Sequence, residues 1–161
     1  MKLPRYQYRV TKYDPKLRSA TGAYLADDWT SCFDIGKSFG GTLLTEKRYL
    51  GVEQAYLQAA VAFLAEANIV KLKVVGLENH QQILSAPPEG STIQSSEASQ
   101  VLRSLLREEY WCKLENPKSF IHVGYDYYMY IGLPTKCPNA IAVANSIGLF
   151  VEEFPSPYAA R

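Results

Sequence analysis

The sequence predicts an α+β fold: one domain over residues 1–161, with a mostly antiparallel sheet covered on one face by two main helices. Three observations lead there. The strand-like segments alternate apolar and polar residues, the pattern of a sheet buried on one face only. Two longer stretches repeat apolar residues at helical spacing. The 161 residues, 47% of them apolar, carry no linker or internal repeat and suit one core.

Taken in order, YQYRVTKY (6–13) puts Tyr6, Tyr8 and Val10 on one face and Arg9 and Thr11 on the other, and ends at the turn-forming Asp14-Pro15. Residues 18–44 contain Gly22, Gly36, Gly40 and Gly41 and little periodicity, so they read as a long irregular segment. Segments of this length are uncommon unless they serve a function. Thr45 caps a helix running to about residue 68. VKLKVVG (70–76) reads as a strand, and 77–95, with Pro87-Pro88, as a surface loop. Ser95 or Ser96 then caps a second helix to about residue 113, and Asn116-Pro117 ends that element. SFIHVG and YDYYMYIGLP form a hairpin around Gly124, a short helix follows Pro138, and GLFVEEF (148–154) is the last strand.

Composition excludes several classes. A net charge of +1 gives no global attraction to nucleic acid or anionic membrane. No apolar run approaches the ~20 residues of a membrane span, and MKLPRYQYRV has no leader-like apolar region. Cys32, Cys112 and Cys137 are too widely spaced for a CxxC motif and read as thiols in a reducing cytoplasm. GKS within DIGKSFGG lacks the upstream glycine of a phosphate loop, because Ser31 stands there. There is no G-x-S-x-G, H-E-x-x-H or dinucleotide fingerprint, and no repeated E-x-x-H for a di-metal centre. No metal or cofactor is expected.

Two carboxylates stand out. On the first helix Val52, Tyr56, Ala60 and Phe63 form an apolar stripe, widened by Leu57, Val61 and Leu64, with Glu53 inside it. On the second, Ala98, Val101, Leu102, Leu105 and Cys112 form the arc that contains Glu109. Burying a carboxylate is costly unless it is paired. Glu53 and Glu109 are therefore either tied to Arg or Tyr groups that pin the 18–44 segment, or an acid/base pair with His122 or Asp126 as a third member. The structural reading carries more weight. The basic N-terminus, with Arg5 and Arg9 opposite Tyr6 and Tyr8, is a poor stacking platform for nucleic acid.

Acidic residues beside aromatics form the other group: Asp27, Asp28, Trp29 and Asp34 in the irregular segment, Glu108-Glu109, and Glu152 and Glu153 on the last strand. Such clusters can hold a basic protein partner. In GYDYYMYIG, strand alternation puts Tyr125, Tyr127, Met129 and Ile131 toward the core and leaves Asp126, Tyr128 and Tyr130 for binding.

YRVTKYDPKLR, GAYLADDWTSCFDIGK, LREEYWCKLE, GYDYYMYIG and GLFVEEFPSPY together resemble a group of small bacterial proteins of unassigned function. By size and α+β class the chain is also similar to immunity proteins of toxin systems, a resemblance that implies a cytoplasmic protein with a protein partner of the toxin-domain kind. The expected function is thus an immunity-type binding protein that covers a partner's active site. The alternatives are an enzyme using Glu53 and Glu109 with His122, and a nucleic-acid-binding module.

Overall fold

The chain, described over residues 2–159 by a computed structural model, is α+β as the alternation predicts. Its elements are β1 (Tyr6–Thr11), β2 (Ser38–Phe39), β3 (Thr42–Leu43), α1 (Glu46–Glu66), β4 (Lys71–Glu78), β5 (Thr92–Gln94), α2 (Ala98–Leu106), β6 (Trp111–Asn116), β7 (Ser119–Val123), β8 (Met129–Leu133), α3 (Pro138–Ser146) and β9 (Phe150–Glu153). Seven strands form one antiparallel sheet in the order β5-β4-β6-β7-β8-β1-β9, while β2 and β3 make a small separate ribbon.

Register assigns the side chains to two faces. Tyr8 and Val10 of β1, Ile131 and Met129 of β8, and Ile121 and Val123 of β7 lie across from one another on the helix face. Thr45 caps α1 by accepting from the Arg48 N–H, and the helix buries Tyr49, Glu53, Tyr56, Leu57, Ala60, Phe63 and Leu64 against that face. Val61, expected in the stripe, is exposed.

On the opposite face Lys113, His122, Tyr130, Arg9 and Glu152 line up across the strands. Residues 154–159 cross this face as a strap. The Phe154 N–H donates to the Gln7 carbonyl at 3.1 Å, and the Ser156 N–H donates to Gln7 Oε1 at 3.0 Å. Both faces of the sheet are therefore covered, one by helices and one by chain lacking regular structure.

Several expectations need correction: Thr92–Gln94, read as part of the 77–95 loop, form β5, and neither Ser95 nor Ser96 caps α2, which follows a 3-10 turn over Ser95–Glu97. The second helix ends at Leu106, not near 113, because Glu108 turns left-handed (φ 57°) and redirects the chain into β6. Cys112 is accordingly a buried strand residue rather than a helix one, and Glu109 does not sit on a helix arc. In GYDYYMYIG the period-two reading fails at its start. Residues Tyr125–Tyr127 form a 3-10 turn with Asp126 and Tyr127 both left-handed, at φ 60° and 67°. Tyr127 still enters the core, but Tyr125 is 84% exposed.

Candidate functional site

The tyrosine turn is held by bonds to its backbone. Tyr13 Oη donates to the Asp126 carbonyl, and Tyr56 Oη donates to the Tyr127 carbonyl at 2.8 Å. Left-handed backbone at two successive non-glycine residues costs of order 1–3 kcal/mol each and persists only where surrounding contacts over-determine it. These contacts turn Tyr127 inward and leave Tyr125 and Asp126 facing out.

Inside, Tyr127 Oη donates to Tyr49 Oη at 3.0 Å, and Tyr49 Oη donates to Glu53 Oε2 at 2.7 Å. Arg107 completes the carboxylate with two bonds, at 2.8 and 2.7 Å, and Arg103 Nε lies 3.3 Å away. Burial alone would raise the Glu53 pKa, but the bonds from Arg107 and Tyr49 and the charges of Arg107 and Arg103 outweigh it and hold it below the usual range. Trp29 is seated beside this network, 5.4 Å from the Tyr49 ring and 4.9 Å from the Tyr127 ring. Its carbonyl accepts from Lys12 Nζ at 2.6 Å. Glu53 thus ties α1 to α2 and fixes the Tyr49 ring on which Trp29 of the 18–44 segment packs.

On the strap face a second polar chain runs Glu115–His122–Ser156. His122 Nε2 lies 3.1 Å from Glu115 Oε2, and Nδ1 lies 2.7 Å from Ser156 Oγ. A carboxylate only accepts, so Nε2–H donates to Glu115 and Ser156 Oγ–H donates to Nδ1. The order serine–histidine–carboxylate is that of a hydrolase triad. Here, however, His122 is fully buried, Ser156 and Glu115 are nearly so, and none of the three lines either main cleft. The chain works as a latch for the strap. Burial pushes the His122 pKa down to about 4 against the opposing pull of Glu115, so the imidazole is neutral near pH 7.

The strap delivers Tyr158 to the rim of a cleft of about 330 Å³ between the end of α2, the start of β6 and the tyrosine turn. Gly124 makes room for it, since a Cβ there would lie 2.7 Å from Tyr158 Oη. The other aromatic residues lining it are Tyr110, Trp111, Tyr125 and Tyr127, with Trp111 fixed by its Nε1–H to the Val123 carbonyl at 2.7 Å. Glu78, Glu108, Glu109 and Asp126 supply four carboxylates, and no lysine or arginine lines the space. Ser31 Oγ donates to Glu108 at 2.7 Å, and none of the four has an ion-pair partner among the described residues.

The residues singled out from sequence scatter across these sites. Asp126 and Glu109 meet in the cleft, whereas Glu53 lies in the core and does not line it. The proposed acid/base pair is therefore not assembled, and His122 cannot join Glu53, because it faces the strap side of the sheet. Trp29 and Tyr130 are buried and present no surface anchor. Asp28 pairs with Lys12 at 2.8 Å, Asp34 caps the Cys32–Asp34 turn, and Glu152 grips Arg9 with two 3.0 Å bonds. Tyr128 accepts from Arg18 and is half-buried, while Asp27 and Glu153 are exposed. Among the described residues no helix is long and apolar enough to cross a membrane, and no cluster of His, Cys, Asp or Glu could hold a metal.

Sequence reasoning missed Glu78, Trp111, Ser156 and Tyr158. Only Trp111, a large aromatic beside Glu108-Glu109, carried a local signal. In comparisons with protein-family models, curated proteins and solved structures, nothing matches the chain.

Proposed function

We propose that the protein is a binding protein for a basic protein partner, acting in the bacterial cytoplasm in the manner of an immunity protein that covers a toxin's active site. The observation that carries this reading is the cleft: four carboxylates and five aromatic residues, with His80 but no lysine or arginine lining it. Carboxylates grouped without counter-charge repel one another and attract cations, which speeds association with a basic surface. Aromatic rings beside them supply the rigid contact area typical of interface anchors.

Phe33 extends this surface in place of Trp29. It is 69% exposed on the Cys32–Asp34 turn, and that turn is tied to the cleft rim by the bond from Ser31 to Glu108. Three free thiols, two of them buried, suit a reducing compartment. The enzyme reading has no such support, because Glu53 is committed to arginines and apart from Glu109.

Co-purification from the source cell tests the reading. Wild-type protein should retain a basic partner at sub-micromolar affinity, and the triple substitution Glu78→Gln, Glu109→Gln, Asp126→Asn should release it. Retention of the same partner by the triple variant would overturn the proposal.

A further inference from the structure

We propose that the cleft is a guanidinium site that takes the head of one arginine side chain from the partner; this rests on the basic-partner reading above. The volume, about 330 Å³, is at the small end of ligand clefts and suits a side-chain head rather than a large cofactor. Trp111, Tyr125 and Tyr158 offer flat faces, and Glu109, Asp126 and Glu78 offer carboxylates at the same mouth. A guanidinium is planar, stacks on aromatic faces, forks onto carboxylates and is weakly hydrated, whereas an ammonium is a compact, strongly hydrated charge. An anion would meet four negative groups, and a neutral apolar ligand would desolvate them without return.

One of the protein's own arginines is satisfied in this way. Arg9 makes two bonds to Glu152 while its guanidinium lies 3.9 Å from the Phe154 ring centroid and 5.6 Å from that of Tyr128. The cleft presents the same combination of ring and carboxylate with no arginine of the chain among its lining residues. Its walls are held in advance, Trp111 by the Val123 carbonyl and the strap carrying Tyr158 by the Ser156–His122–Glu115 latch. Preorganisation of this kind lowers the ordering cost of binding.

The test is an NMR titration of isotope-labelled protein with N-acetyl-arginine amide, N-acetyl-lysine amide and the uncharged isostere N-acetyl-citrulline amide. The arginine probe should give saturable shifts confined to the Trp111 indole and the backbone of residues 108–111 and 124–127. It should bind about tenfold or more tighter than either other probe. Tyr125→Ala and Asp126→Asn should each weaken it several-fold, and both spare the fold, since the first ring is exposed and Asn tolerates a left-handed backbone. Equal binding of the lysine or citrulline probe, shifts elsewhere, or no saturable binding would overturn the guanidinium assignment. If that happens while the triple variant still loses the wild-type's partner, the basic-partner reading stands and only the arginine assignment falls.

Discussion

At Glu53 four contacts from Tyr49, Arg103 and Arg107 converge on one carboxylate that is 2% exposed. Removing one member of a buried pair costs about 3–5 kcal/mol when the other charge is stranded. Here the arginines reach solvent, so Glu53→Gln should cost less, about 2 kcal/mol by urea denaturation, and should loosen Trp29, read by its fluorescence. A change within error would show that the 18–44 segment is held by other contacts. His122 makes a pH prediction. It faces Glu115, Ser156, Phe120, Tyr158, Lys113 and Tyr130, and its folded pKa of about 4 lies below the ordinary 6.5. A depressed folded value favours the neutral ring, so the stability it contributes is complete above pH 6.5 and is lost as pH falls through 4. The shift corresponds to about 3 kcal/mol. Thermal melts should show that loss in the wild type and a flatter profile in His122→Gln, and equal slopes would refute it. The burial of Glu53 was legible because one helix face fixes direction. The bond from Ser156 to His122 was not, because it closes 34 residues of separation.

Elements were legible wherever their ends carried punctuation. Thr45 caps α1 and Pro138 opens α3, and both starts were readable. The end of α2 was hidden, because Glu108 adopts a left-handed turn without glycine and the helical spacing runs on into WCKLEN. The strap has no regular structure to predict, yet it is fitted to the sheet. Gly132 lies under the Phe120 ring, where an added Cβ would come within 2.4 Å of a ring carbon. Phe120 in turn stacks on His122 at 4.1 Å, nearly parallel. Gly132→Ala should therefore push Phe120 into His122 and destabilise the protein by about 1–3 kcal/mol, as overpacking does. Hydrogen exchange should show the loss concentrated in β7, β8 and the strap. Uniform or absent change would mean that the ring moves aside freely.

At the scale of the molecule, the cleft draws on residues from Thr30 to Tyr158, brought together by a sheet order that places β6 between β4 and β7. Alternation revealed that an antiparallel sheet exists, and hence the fold class, but strand order is not written in any local pattern, nor is the strap that covers the second face. Asp126 and Glu109 were recognised singly, and their meeting depends on a turn and a helix end that only the folded chain reveals. With net charge +1, the molecule has little long-range field, so the proposed attraction to a basic partner would rest on the carboxylates of this cleft. The most direct test of that claim is the affinity of the co-purified partner for wild-type protein and for Glu109→Gln/Asp126→Asn, measured calorimetrically at low and high salt. The cleft predicts wild-type binding that weakens as salt rises, and a variant at least about tenfold weaker at low salt with a shallower salt dependence. Equal affinity of the two proteins at both salt concentrations would contradict it.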